Sequence, residues 1–161
     1  MLSEKLLNEM NEQIKHELYS AYLYLSMAAD FEAENLGGFA HWMKKQAGEE
    51  QEHAMKFFEF IHERGGKVKL LAIDQPPEEF KQPVDIFGAV LEHEQKVTAR
   101  INGLYKLALQ EDDYASQVFL HWFISEQVEE EKNATEILEK LKLIGDKGHA
   151  LLMMDHELGE R

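Results

Sequence analysis

The 161-residue chain contains no cysteine, which excludes disulfides, thiolate metal sites and a cysteine nucleophile. Proline is nearly as scarce. Pro76, Pro77 and Pro83 are the three present, and they share one short stretch, so the segments on either side are free to form long helices. Thr98 and Thr135 are the two threonines, and sparse β-branched residues argue against a β fold. Long apolar runs are missing too. The run Ala150 to Met154 holds five residues, against about 20 needed to cross a bilayer, so no membrane span is expected. The opening MLSEKLLNEMNEQ places acids where a secretion signal would carry positive charge, so a soluble cytoplasmic protein is expected. Positive charge is in short supply throughout: 17 Lys and Arg against 31 Asp and Glu leave a net charge of −14. No basic run exceeds Lys44-Lys45, and a nucleic-acid backbone would be repelled. The same acidity permits attraction of cations, although a solvated acidic surface is the commoner meaning of such a number.

With 44% hydrophobic and 30% charged residues, the chain has the composition of a folded domain rather than a disordered one. Its length sets one domain, residues 1–161, as the expectation. Ser3 can cap a first helix running to about Ala33, where Glu34-Asn35-Leu36-Gly37-Gly38 breaks it. A second helix is predicted from about Phe39 to Arg64, ending at Gly65-Gly66, and a third from about Val84 to Gln110. Asp112 or Asp113 can cap a fourth that reaches about Ile144 before Gly145, and Asp146 starts a short fifth. Each long helix is about 40 Å in length. The first two and the last two long helices are joined by short turns. The long proline-bearing connection between the second and third suits a crossover along the bundle. The predicted fold is therefore all-α: a four-helix bundle with one long crossover and a short C-terminal helix.

Following each apolar stripe at helical spacing exposes a recurring interruption. The first stripe reads Met10, Ile14, Glu17, Ala21, Tyr24, Ala28, Phe31, and the second Met43, Ala47, Glu50, Ala54, Phe57, Ile61 with His53 beside Glu50. The third reads Phe87, Leu91, Glu94, Val97, Ile101, Leu104, and the fourth Leu120, Phe123, Gln127, Glu130, Ala134, Ile137, Leu141. An isolated buried carboxylate is too costly to keep charged without a partner. Four helices that each turn an acid inward need shared cations. Glu50 and His53 form a Glu-x-x-His pair one turn apart on one face. Oxygen-rich ligation with one imidazole suits iron or manganese. The candidate ligands are Glu17, Glu50, His53, Glu94 and Glu130, with Glu50 the natural bridge. Tyr24, two turns after Glu17, can serve as hydrogen-bond or electron donor, and Gln127 can donate its amide to a ligand or bound oxygen.

Each piece also has an ordinary reading. Glu-x-x-His alone is common on solvated helix faces, and a single Glu in an apolar row can reflect a misjudged helix phase. Tyr24 and Gln127 alone could be core residues. The run SEQVEEEK, with Glu126, Glu129 and Glu131, also has the composition of a solvated face. The conjunction across four helices is what favours a metal centre. Gly48, in the middle of the second helix, costs about 1 kcal/mol against alanine; it admits a close neighbour or water, or is simply tolerated.

The stretches QIKHELYSAYLYLSMA, GFAHWMKKQAGEEQEHAMKFFEFIHERGG, VLEHEQKVTARI and FLHWFISEQVEEEK resemble the non-haem ferritins of bacteria and archaea along nearly the whole chain. Ferritin-like di-iron bundles commonly carry a Glu from each of two helices and Glu-x-x-His from each of the other two. Here the fourth helix has Gln127-x-x-Glu130 instead, which agrees with the non-haem branch and not with bacterioferritins. The resemblance implies that Glu17, Glu50 and His53 hold one iron with Glu50 bridging, and that Glu94 and Glu130 hold a second. It implies a third iron at Glu49, Glu126 and Glu129 with Glu130 shared, and places Tyr24 and Gln127 beside the ligands. Gln51 stands where bacterioferritins place a haem-ligating Met, so no haem is expected.

The resemblance further implies a ferroxidase that oxidises Fe(II) with dioxygen, or peroxide, and stores ferric mineral in a homo-oligomeric shell of 24 subunits. Two other readings remain open at the level of sequence. A peroxide-reducing di-iron protein of the ferritin-like class lacks support from a second Glu-x-x-His, and a metal-free helical scaffold would use its acids for solubility alone.

Overall fold

The computed structural model describes residues 1–145 and 147–161 and is built of five helices. They are α1 (Glu4–Ala33), α2 (Gly37–Glu63), α3 (Pro83–Gln110), α4 (Tyr114–Ile144) and α5 (Gly148–Gly159). Among the described residues there is no strand. Asp146, expected to open the fifth helix, lies outside the described residues.

The helix ends follow from a few side chains. Ser3 Oγ accepts from Leu6 N–H at 3.0 Å, satisfying one donor that the first turn leaves free. The α1–α2 turn is tighter than the glycines suggested. Asn35 takes the left-handed conformation at φ 61°, one of the few non-glycine residues that tolerates it. Gly37 and Gly38 thus belong to α2, which begins two residues before the predicted Phe39. At the other end, Gly65 at φ 71° and Gly66 N–H bonding Ile61 O at 2.8 Å close α2. Asp113, not Asp112, caps α4: its Oδ1 accepts from Ser116 N–H at 2.9 Å. Its two oxygens also take both Arg64 terminal nitrogens at 2.9 and 3.0 Å. That ion pair holds the Asp113 carboxyl down to about 2 and ties the end of α2 to the start of α4.

The connection 64–82 is a crossover laid along α1. Asn11 Oδ1 accepts from Lys69 N–H at 2.7 Å near its start, and Ser26 Oγ donates to Pro77 O at 2.6 Å near its end. These two anchors are fifteen residues apart on α1, about 22 Å of helix. The chain is thereby carried back to the end where α2 began, and α3 runs parallel to α2. Helices α1 and α2 pair closely, as do α3 and α4, and α5 packs mainly on the start of α2.

The core is divided. One apolar cluster at the α1–α2 turn end contains Phe31, Phe39, Trp42, Phe87 and Leu141. A second, at the opposite end, contains Met10, Phe57, Ile101, Leu120 and Phe123. Of the stripe residues predicted from spacing, Leu91 alone is only half-buried. Between the two clusters lies a buried polar layer: Gln13, Glu17, Gln46, Glu50, His53, Glu94, Gln127 and Glu130.

Helix α5 is seated by an unusual cap. The N-terminus of α2 has no side-chain cap from its own preceding residue Leu36. Asp155 of α5 supplies one instead, its Oδ1 accepting from Gly38 N–H at 2.8 Å and Phe39 N–H at 2.9 Å. The carboxylate neutralises two free amides at the positive end of the helix dipole. This approach requires glycine, because a Cβ on Gly38 would lie 1.6 Å from the Asp155 carbonyl oxygen.

Candidate metal centre

The side chains of Glu17, Glu50 and His53 meet at the middle of the bundle, with one ligand atom from each within 4.8 Å of the others. His53 Nδ1 lies 3.4 Å from Glu50 Oε2 and 3.9 Å from Glu17 Oε2. The ring is held edge-on by Trp122 and Phe123, at centroid distances of 5.3 and 6.0 Å. Glu17 Oε1 accepts from Gln13 Nε2 at 2.8 Å. Glu17 Oε2 and Glu50 Oε2, both fully buried, have no hydrogen-bond partner. Orphaned buried oxygens of this kind are rare, and two of them beside an imidazole form a donor set that fits a hard or borderline cation.

The other predicted residues complete the layer. Tyr24 Oη donates to Glu94 Oε1, and Gln127 Nε2 donates to Glu94 Oε2 at 3.1 Å. Gln127 also reaches the Glu94 carbonyl oxygen at 3.2 Å and Thr98 Oγ1 at 3.3 Å. Thr98 in turn donates to Glu131 Oε1 at 2.6 Å. Glu130 Oε2 accepts from Gln46 Nε2 at 2.9 Å. Half-buried Glu126 forms a second possible ligand group with His53 and Glu130. Two residues assigned to a third site stand apart: Glu129 is exposed and belongs to neither group, and Glu49 is engaged by Arg161. Gly48 faces open space, with nothing within 4 Å of the point where a methyl group would sit, so no neighbour within the subunit requires it.

Gln13, Gln46 and Thr98 are partners that stripe reading passed over. Gln13 sits four residues before its partner Glu17, so helical spacing alone carries a signal for it; Gln46 reaches across to Glu130 of α4, which spacing along α2 does not encode. Thr98 is set by the approach of α3 to α4, which spacing does not encode.

Charge is unsettled throughout the layer. Burial, then the neighbouring acids, pushes Glu17 and Glu50 well above the usual carboxylate range. Burial raises Glu94 against the hydrogen bonds from Tyr24 and Gln127. Glu130 is pushed up to about 7 by burial and by Glu94, with Gln46 opposing. Tyr24 is raised well above its ordinary value, first by burial and then by Glu94, so it remains a donor.

This arrangement has a measurable consequence for the metal-free protein. A carboxyl that keeps its proton to higher pH when folded contributes stability below the unfolded pKa, and that stability is lost as pH rises through the folded value. For Glu130 the loss falls between the ordinary value of 4.5 and about 7. Buried His93, lowered to about 4, acts in the opposite sense. The comparison with Glu130→Gln therefore isolates the carboxyl. The thermal midpoint of the metal-free wild type should fall relative to that variant between pH 4.5 and about pH 7, and parallel profiles would refute the burial argument.

Comparison with known proteins settles the family. A family model for the ferritin-like domain matches residues 7–144. The chain belongs to the ferritin family. It is 46% identical over 161 residues to a bacterial non-heme ferritin of Bacteroides fragilis, covering the whole of both chains. It is 39% identical over 161 residues to a bacterial non-heme ferritin of Staphylococcus aureus, covering 100% of this chain and 97% of the relative. An open-pore ferritin of the hyperthermophilic archaeon Archaeoglobus fulgidus, solved by crystallography, superposes with a TM-score of 0.99 at 52% identity, over 100% of this chain and 99% of that one. A closed form of that ferritin, engineered by site-directed mutagenesis, gives 0.99 and 52%, over 100% and 98%. Iron storage is thus the function of this ferritin, and ferroxidase activity is what the family implies in general.

Proposed function

We propose that residues 1–161 act as one ferritin-like di-iron domain whose polar layer is the ferroxidase centre. The observation that carries this reading is the pair of unpartnered oxygens, Glu17 Oε2 and Glu50 Oε2, facing His53 Nδ1. Glu17, Glu50 and His53 take one Fe(II), with Glu50 bridging to a second held by Glu94 and Glu130. Each iron gives up one electron. Dioxygen accepts the two electrons and, with two protons, leaves as hydrogen peroxide. The chain's own groups prepare this step. Carboxyls whose protons are held by burial release them as cations arrive, Tyr24 and Gln127 fix the Glu94 carboxylate, and Gln46 fixes Glu130. The second iron, with no imidazole, is held less firmly than the first and is the one passed on. Glu49, Glu126 and Glu129, with Glu130 shared, receive a third ion on the way to the mineral. The working form is a cytoplasmic homo-oligomeric shell of 24 subunits without haem.

An anaerobic titration of the metal-free protein with Fe(II), followed by air, tests the reading. Rapid oxidation that saturates near two Fe(II) per subunit is expected, from a particle far larger than the 18.7 kDa chain. Slow, unsaturable oxidation would overturn the di-iron centre, and a monomer would overturn the shell.

A further inference from the structure

Glu49 is held by a cation that belongs to the protein. Arg161 Nη2 lies 2.8 Å from Glu49 Oε1 and 2.7 Å from Oε2. The same guanidinium lies over the Trp42 ring, 5.0 Å from its centroid. Trp42 and Glu49 are seven residues apart on α2, two turns along one face, so one side chain spans both. Arg161 lies two residues beyond the end of α5, a helix whose position is fixed by the Asp155 cap on Gly38 and Phe39.

We propose that Arg161 is a tethered competitor for the Glu49 carboxylate, occupying it until an iron ion at the third position displaces the guanidinium, which then keeps only its contact with the Trp42 ring. The proposal rests on the reading of Glu49 as a third-site ligand. One guanidinium nitrogen engages both Glu49 oxygens, and a positive charge seated there opposes the approach of a metal cation to the same carboxylate, so ligation by Glu49 and pairing with Arg161 compete. The pair is partly exposed, at 30% and 40% for the two side chains, and exposed pairs of this kind exchange readily. Trp42 is buried, and its face gives the displaced cation a place to rest without full loss of contact. The result is a third position occupied by the guanidinium between ions and weaker than it would otherwise be, which suits a site that must hand its iron on.

Anaerobic calorimetric titration of the full-length, metal-free protein with Fe(II) tests this, using Arg161→Gln, Arg161→Lys and Glu49→Gln. In Arg161→Gln the weakest binding step should tighten about fivefold, while the stronger steps keep their affinities. Arg161→Lys, which keeps the charge but gives up the planar guanidinium's contact with the Trp42 ring, should fall between that variant and the wild type. Glu49→Gln should abolish the weakest step whether or not Arg161 is present. If Glu49→Gln removes the step but Arg161→Gln leaves its affinity unchanged, Arg161 is no competitor and the third-site reading survives alone. If Glu49→Gln leaves every step intact, the third-site reading fails and takes the proposal with it. A second readout does not depend on affinity. In a Trp122→Phe background, Trp42 emission should change at the third Fe(II) equivalent with Arg161 present and change less in Arg161→Gln; equal changes would overturn displacement.

Discussion

Glu50→Gln should slow the rapid oxidation of Fe(II) by about 100-fold or more, since a shared ligand is lost and even supporting partners of a metal site cost 10–100-fold. The same substitution should make the metal-free protein more stable at neutral pH. Glu50 is buried among Glu17, Glu94 and Glu130, its Oε2 is unpartnered, and burial holds its pKa well above the usual range. An amide of the same shape carries no charge to desolvate. It can also donate to Glu17 Oε2, the other orphaned oxygen beside it. Each kcal/mol recovered raises the thermal midpoint by roughly 2–4 °C for a domain of this size. Iron oxidation by stopped flow and thermal melting of the metal-free variant check both halves. A residue retained for packing would lose on both counts, so a fall in stability alongside the fall in rate would refute the assignment of Glu50 as a ligand kept at the expense of the fold.

Gly38→Ala should unseat α5 while leaving the four-helix bundle folded. The added Cβ would meet the Asp155 carbonyl oxygen at 1.6 Å and its carbonyl carbon at 2.5 Å. Backbone atoms cannot give way as the end of a flexible side chain can. Gly159 crosses near the same point, with Gly38 Cα 3.3 Å from where its Cβ would sit, so a shift along α5 meets the same obstruction. Undocking removes the Asp155 cap from α2, worth about 1 kcal/mol. It also exposes Met154 and Leu158, each worth roughly 1.5–3 kcal/mol. The regained freedom of the released helix offsets part of this. Residues 148–159 should lose amide-exchange protection and become open to limited proteolysis, with the far ends of α1 and α3 unchanged. Full protection of α5 in the variant would show that the contact is softer than the geometry states. Asp155→Ala, which removes the cap without a clash, should give a weaker form of the same change.

These two residues mark the boundary of what the sequence discloses. Glu50 was legible because it interrupts an apolar row, and the same holds for Glu17, Glu94 and Glu130. Periodicity places such residues inward without any knowledge of neighbouring helices. Confinement of proline to one stretch likewise disclosed four long helices and the crossover. Gly38 was legible only as a breaker, and that reading misplaced it, because the turn is made by Asn35 in the left-handed conformation. Its actual service is to admit α5, more than a hundred residues later in the chain. The pairing of Arg161 with Glu49 was hidden for the same reason: it depends on where one helix docks on another. The choice of Asp113 over Asp112 as cap turned on a single residue's backbone angle, with Asp112 at φ 52°, which composition does not determine.

The division of the core into two apolar clusters has a thermodynamic corollary. The hydrophobic effect binds each end of the bundle, but the layer between them is held by hydrogen bonds among groups that repel one another when charged. A cation that binds this layer only in the folded state adds stability by mass action, about 1.4 kcal/mol for every tenfold excess over its dissociation constant at each site. Iron bound in this layer would therefore stiffen the subunit at its waist, where the hydrophobic effect contributes least.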